Sequence, residues 1–248
     1  MHETDELSQN MIQRLRYYVY LYINPFDDKI FYVGKGTGDR ALSHLYDEKE
    51  SAKTAKIREI IELGETPRIE FLRYGLDEKT ALNVEAAVID AIGIENLTNE
   101  KHGSDTEHGR MDLEFLRAIA DPIEVKIDER VVLIRVHQLF RYGMSDQELY
   151  DATRGIWEMA DRKNDADYAF SVFMGIVMDV YKIKSWHLAG TTPYPTRPNM
   201  IRDNIAPERL GFWEFIREPV PDGIRKKYRL KSVKTYLSSR NPFLYVNC

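Results

Sequence analysis

Two tyrosines on neighbouring extended runs carry the chemistry this sequence offers first: Tyr20 within YYVYLYI and Tyr32 within KIFYVGKG. Arg40 and His44 follow with helical i, i+4 spacing, which puts both side chains on one face of a helix. A phenol, an imidazole and a guanidinium gathered in this way can move a proton and stabilise negative charge, which are the requirements of a phosphate site. A carboxylate completes the set. In EKTALNVEAAVIDAIG, positions 81, 85, 88 and 92 lie on one helical stripe, so Glu85 falls on the face expected to turn inward. Burying a lone carboxylate is costly, so Glu85 requires a cation or a strong donor.

These residues need a scaffold to bring them together. The two tyrosine runs are rich in β-branched and aromatic residues, and Asn24-Pro25-Phe26-Asp27-Asp28 between them supplies turn formers, so a β-hairpin is expected. Gly34, Gly36 and Gly38 then loosen the chain between the second strand and the Arg40 helix.

Taken together, the residues resemble the GIY-YIG nuclease family. Tyr20 matches the tyrosine of its first motif, Tyr32 and Gly34 match the second, and Arg40 and His44 match an Arg-x-x-x-His helix. Tyr18 departs from the pattern, standing where glycine is usual, and the interval from Tyr32 to Arg40 is short. The compact GKGTGDR form looks most like the branch found in animal nucleases with ankyrin and LEM domains and in bacterial proteins. The resemblance spans residues 17–103. It implies an α/β (α+β) fold with a small antiparallel sheet flanked by helices, and an endonuclease that hydrolyses phosphodiester bonds in DNA. It also implies that Glu85 holds a divalent metal ion, Mg²⁺ or Mn²⁺, on the leaving-group side, and that Arg40 stabilises charge on phosphorus. Lys35 would contact phosphate. Tyr20, supported by Tyr32, would position or deprotonate the water, with His44 a rival for that role because a phenol of pKa about 10 is a poor base near neutrality. Asn99 matches the asparagine near the end of the family's fold, with Asn96 an alternative alignment.

The 248 residues are 43% hydrophobic, enough for two modest domains. No run approaches the roughly 18 consecutive apolar residues of a membrane span, so no membrane association is expected. The acidic, polar start MHETDELSQNMIQRLR reads as a short helical extension over 1–16 rather than a signal peptide. Cys248 is the sole cysteine, which excludes an internal disulfide framework and suits a cytoplasmic protein. Net charge is −5 and unevenly spread: residues 1–124 hold 15 Lys+Arg against 25 Asp+Glu, and residues 125–248 hold 20 against 15.

Polar residues from 100 to 110 interrupt the hydrophobic pattern, so a linker is expected over 104–130, with a short helix and connector in MDLEFLRAIADPIEV ended at Pro122, and a second, β-rich α+β domain over 131–248. His102 and His108 lack a metal-ligand pattern. VVLIRVHQLF reads as a strand or a short buried helix, YAFSVFMGIVMDVYKIKSW as two strands or one long bent strand with Gly175 at a turn or bulge, and GFWEFI and NPFLYVN as further strands, giving a small barrel-like domain. Helices are expected after the capping box of Ser145 and Glu148, and in DGIRKKYRLKSVKTYL.

All three tryptophans, Trp157, Trp186 and Trp213, lie in this half. The A-T-R-G-x-W stretch with the following strand pair faintly resembles modified-base readers of the PUA and EVE type, which makes Arg154 and Trp157 candidate pocket residues and core packing the competing role. Arg225, Lys226 and Lys227 head a basic run over 217–240 that suits either a phosphate-tracking surface or a solvated helix face. The expected substrate is modified or foreign DNA, with a branched or bulged repair intermediate as the alternative. A DNA-binding module without turnover is the competing class. One centre per chain cuts one strand, so a homodimer would be one route to double-strand cleavage.

Overall fold

The computed structural model describes residues 7–47, 49–100, 108–137 and 139–248. His102 and the expected domain limit at 103 fall outside them. The chain forms two compact units, residues 1–110 and 111–248.

In the first unit, helix α1 (Gln9–Leu15) leads into strands β1 (Tyr17–Ile23) and β2 (Ile30–Gly36), joined by the expected hairpin. The Asn24 side chain accepts from Phe26 N at 3.2 Å, closing a turn on itself. Helices α2 (Arg40–Ser43) and α3 (Ala52–Glu62) follow, the first running into a 3-10 turn at His44–Tyr46. Strand β3 (Arg68–Leu76) and helix α4 (Glu78–Ile92) complete the unit. The antiparallel sheet runs β2-β1-β3. Its central strand is apolar or aromatic throughout because both of its faces are buried. Tyr18, Tyr20 and Tyr22 pack with Ala41, Ile57 and Ile60 from α2 and α3, while Val19, Leu21 and Ile23 pack with Ala81 and Ile89 from α4.

The second unit begins earlier than the sequence suggests. The short helix expected in MDLEFLRAIADPIEV is α5 (Leu113–Ala120), and rather than lying in a linker it sends Phe115 and Ala118 into the core of this unit. Ile127 is buried as well. The sheet is built from β4 (Val131–Arg135), β5 (Tyr168–Phe173), β6 (Ile176–Leu188), β7 (Trp213–Glu218) and β8 (Phe243–Val246), in the order β7-β6-β5-β4-β8. With β7 and β8 at its edges it is a sheet rather than a closed barrel. β4 and β5 are parallel, and α6 (Asp146–Thr153), started by the Ser145–Glu148 capping box, lies in the connection between them.

The long helix expected in DGIRKKYRLKSVKTYL is instead one short helix, α7 (Asp222–Tyr228). Beyond it Leu230 takes a left-handed φ of 59°, and the backbone hydrogen-bonds the start of β6: Leu230 N donates to Val177 O at 2.8 Å and Val177 N to Lys231 O at 2.9 Å. Pairing with the sheet overrides helical propensity there. No helix among the described residues is long and apolar enough to cross a membrane.

Candidate active site

The hairpin positions the tyrosines through its register. Tyr20 pairs with Gly34 and Tyr18 with Gly36, so each ring lies across a residue that has no side chain. A Cβ at Gly34 would stand 2.8 Å from the Tyr20 ring and hydroxyl and 2.8 Å from the Tyr32 ring; one at Gly36 would stand 3.0 Å from Tyr18. These glycines therefore make room for aromatic rings. Of the three singled out in the sequence, only Gly38 has a positive φ, 58°. Tyr18, the departure from the family pattern, has Gly36 opposite it, and its hydroxyl donates to Gly38 O (3.0 Å) and accepts from Ala41 N (3.1 Å). It thereby ties down the loop into α2.

Tyr20 is 0% exposed, and its hydroxyl lies 2.9 Å from His44 Nδ1. Its ring sits 6.1 Å from that of Tyr32. Burial, followed by the neighbouring phenols, pushes the Tyr20 pKa far above the usual range, so a free phenolate is inaccessible near neutrality. Burial also pushes His44 down to about 4, with Lys53 and Arg40 adding to the effect, so the imidazole is neutral over the working range. A neutral ring carrying its proton on Nε2 presents Nδ1 as an acceptor to the Tyr20 hydroxyl.

Arg40, at the start of α2, is exposed and has no carboxylate partner among the described residues. Its charge acts on Tyr20, Tyr32, His44 and Glu85 alike.

Glu85 reaches the outer edge of β2 from α4. Its Oε1 accepts from Lys35 N at 2.8 Å, so the strong donor expected from its place on the stripe is a backbone amide. Burial raises its pKa, against the lowering effects of the Lys35 amide, the Lys35 charge and Arg40. The Lys35 ammonium pairs with Glu78 at 3.1 Å.

Asn99 completes the same edge: its Oδ1 accepts from Val33 N at 3.1 Å and its Nδ2 donates to Val33 O at 2.7 Å. Thr98 N and Oγ1 both donate to Phe31 O. Side chains and one loop amide thus satisfy the edge at residues 31, 33 and 35, where an open strand would invite pairing. Asn96 instead bonds Ile92 O.

Among the described residues no three or more His, Cys, Asp and Glu side chains gather into a metal cluster. One half-buried carboxylate still suits a hard cation such as Mg²⁺, which keeps several waters and takes its remaining oxygens from substrate phosphate.

Two residues beside this group escaped the sequence reading. Lys53 on α3 is buried, its ammonium 5.4 Å from the centre of the Tyr32 ring and 3.3 Å from Asp47 Oδ2. Only the fold shows this, because lysine in the first turn of a helix reads as surface.

The candidates of the second unit do not converge. Arg154 is 4% exposed; its guanidinium donates to Pro193 O and Thr192 Oγ1 and packs 4.3 Å from the Tyr194 ring. Trp157 donates Nε1–H to Thr153 O at 2.8 Å, pairs through its backbone with Trp213, and packs on the core. A cavity of about 370 Å³ in this unit is lined by Asp146, Asp179, Tyr181, Arg217, Glu218 and Arg225 among others, and neither Arg154 nor Trp157 borders it. Arg225 is held by Asp179 in two hydrogen bonds, 2.7 and 2.9 Å, and Lys227 by Asp128 and Glu129. Lys226 is exposed.

Comparison with known proteins agrees with this geometry. Residues 7–112 match the family model of the LEM-3-like GIY-YIG domain. The Caenorhabditis elegans homolog of ankyrin repeat and LEM domain-containing protein 1 is 35% identical over 95 residues, covering 34% of this chain and 13% of its own length. The Mus musculus protein of that name is 32% identical over 83 residues, covering 30% of this chain and 16% of its own length. The chain therefore spans only a small part of these relatives. No solved structure gives a significant match. The GIY-YIG family is one of endonucleases that in general depend on a divalent metal. Residues 7–112, with the Tyr20–His44 pair, Arg40 and Glu85 set around one hairpin, are a GIY-YIG domain of the LEM-3-like branch.

Proposed function

We propose that the chain is a divalent-metal-dependent endonuclease that hydrolyses DNA phosphodiester bonds. The observation that carries this reading is the convergence of Tyr20, His44, Arg40 and Glu85 around the β1–β2 hairpin, with the Arg40 charge uncommitted. Arg40 binds and stabilises the non-bridging oxygens as negative charge grows on phosphorus. Tyr20 and His44 act as one base: the attacking water gives its proton to the Tyr20 oxygen while the Tyr20 proton passes to His44 Nδ1. The P–O bond to the departing sugar oxygen breaks as the bond to water forms. Because Tyr20 is far from acidic, the two proton movements accompany the attack rather than precede it. Glu85 would hold Mg²⁺ or Mn²⁺, and the ion supplies Lewis-acid stabilisation of the departing oxygen. Lys35, paired with Glu78 at 3.1 Å, would leave that partner to contact a phosphate.

For the second unit we propose a DNA contact through exposed Lys226, to which Arg225 and Lys227, already neutralised within the fold, add little. Selectivity for modified or foreign DNA would then belong to groups other than Arg154 and Trp157, whose Nη atoms and indole N–H bond within the fold.

The purified chain, incubated with supercoiled plasmid and Mg²⁺ or Mn²⁺, is expected to yield nicked circles before linear product, and chelator is expected to stop the reaction. Glu85→Gln should abolish nicking while thermal stability and DNA binding persist. Nicking that survives both chelator and Glu85→Gln overturns the metal-dependent reading. DNA binding without any cleavage would make the chain a binding module.

A further inference from the structure

Tyr18, Tyr20 and Tyr22 alternate along β1, so all three phenols leave the sheet on one face, and all three end on α2 or its immediate flanks. Tyr20 meets His44. The outer two bond main chain instead. Tyr18 accepts from Ala41 N at 3.1 Å and donates to Gly38 O at 3.0 Å, and Tyr22 donates to Ala41 O at 2.7 Å. Arg40 lies between Gly38 and Ala41, so the backbone on both sides of it is held from β1.

That hold supplies what α2 lacks by itself. A helix of four residues does not sustain its own geometry. Its N-cap, Asp39, is of a type that ordinarily accepts from first-turn amides, yet its side chain makes no such bond. The Tyr18 hydroxyl takes the place of the cap, because Ala41 N is one of the amides that a helix start leaves without an intrahelical acceptor. The phenol is itself fixed, 0% exposed and edge-on to Phe71 with ring centres 4.9 Å apart. A Cβ at Gly36 would stand 3.0 Å from Tyr18 and 3.1 Å from Arg40 Cβ, so the phenol and the root of the arginine pack over the same glycine. Any buried tyrosine needs some partner for its hydroxyl. Here two of them share one partner residue, Ala41, beside the residue that must meet the phosphate.

We propose, on the reading of this chain as a nuclease, that Tyr18 and Tyr22 are positioning residues: their hydroxyls hold the backbone of α2 so that the exposed Arg40 side chain extends from a fixed root toward the scissile phosphate, beside the Tyr20–His44 pair. Neither hydroxyl touches substrate. Their effect on the rate passes through Arg40, whose displacement by about 1 Å is enough to cost on the order of 100-fold.

The test is a double-mutant cycle read by single-turnover nicking at saturating DNA, alongside hydrogen exchange at the Ala41 amide followed by NMR, which needs no cleavage. Tyr18→Phe should slow nicking roughly 10- to 100-fold in the parent and by less than about three-fold when Arg40 is already alanine. Tyr22→Phe should show the same dependence on Arg40 with a smaller loss. Exchange at Ala41 N should quicken by about ten-fold or more in Tyr18→Phe while amides of α4 keep their protection. A merely structural hydroxyl would cost the same factor in both backgrounds. Equal losses with and without Arg40, no loss from Tyr18→Phe, or an Ala41 amide as protected as the parent's overturns the proposal. Should Tyr18→Phe fail to fold, the Tyr22→Phe cycle decides alone on the same terms. A chain that cuts nothing yet loses Ala41 protection fails as a nuclease and keeps the hold on α2. A chain that cuts, with equal losses in the two backgrounds, fails only here.

Discussion

Arg40 and Arg154 are the same residue type in opposite circumstances. Arg40, in the first unit, is exposed with no carboxylate partner among the described residues, and its charge reaches Tyr18, Tyr20, Tyr32, His44 and Glu85. Arg154, in the second, is buried, with Pro193 O, Thr192 Oγ1 and two tyrosine rings around it and Asp151 at 3.8 Å. Glu85 and Glu214 differ in the same way. Glu85 is half-buried and accepts one hydrogen bond, from Lys35 N at a strand edge, whereas Glu214 is fully buried and accepts from Gly190 N, Thr192 N and Thr192 Oγ1. A group enclosed by partners inside the fold holds a loop, as Arg154 does even with its Nε left without a hydrogen bond; a group open to solvent can meet a substrate.

This contrast is testable by one substitution in each unit. Arg40→Ala should lower single-turnover cleavage roughly 100- to 1,000-fold, the scale of losing one donor to transition-state charge, with little change in melting temperature. Arg154→Ala should do the reverse, costing the second unit about 3 kcal/mol by leaving buried acceptors and Asp151 under-satisfied, while single-turnover chemistry at saturating DNA holds. The contrast breaks if Arg154→Ala stays stable and loses cleavage, or if Arg40→Ala only unfolds.

Tyr20 and His44 sharpen it, since they should behave as one unit. Tyr20→Phe and His44→Ala should each lower the rate, and the double variant should lose no more than the worse single one, because either change breaks the same proton path. His44 must be neutral to accept a proton, so the parent rate should fall only as pH drops through about 4, far below an ordinary histidine. Additive losses, or an acidic limb near 6.5, would separate the two residues.

Gly34→Ala tests the geometry under that pair. The new methyl would meet the Tyr20 and Tyr32 rings at 2.8 Å, so the first unit should lose about 1–3 kcal/mol and cleavage should fall with it. Gly211→Ala in the second unit, where a Cβ meets nothing within 4 Å, is the matched control and should be nearly silent. A Gly34→Ala chain as stable and active as its parent would show that the rings can move aside freely.

Local pattern was enough for much of the first unit. The hairpin, the helical spacing of Arg40 and His44 and the inward stripe of Glu85 are each properties of a few neighbouring residues. What pattern could not show was the meeting of distant residues: Lys53 with Tyr32, Asn99 with Val33, and Gly34 beneath Tyr20. The strands of the second unit were similarly legible, though the pattern left Gly175 open as a turn or a bulge and the fold makes it a turn between β5 and β6. Its charges were not, because Asp179 and Arg225 are 46 positions apart and Lys227 lies still further from Asp128 and Glu129. A basic run looks the same in sequence whether its partners are solvent or carboxylates elsewhere in the fold.

That ambiguity leads to the smallest expected effect. If DNA touches the α7 surface, the charges that release counterions are those still facing solvent. Lys226→Ala should weaken binding to all sequences alike and lower the slope of log affinity against log salt by about 0.9, the value for one phosphate contact. Arg225→Ala should change that slope less and stability more, since its guanidinium is bound to Asp179, which is 5% exposed at the side chain. Lys227→Ala should likewise leave the slope nearly unaltered, its ammonium being shared between Asp128 and Glu129. Equal slope changes for all three would mean that the internal pairs open on DNA and that the basic run acts as a block. No slope change from any of them would remove α7 from the DNA-binding surface and leave the second unit's contacts to be sought on another face.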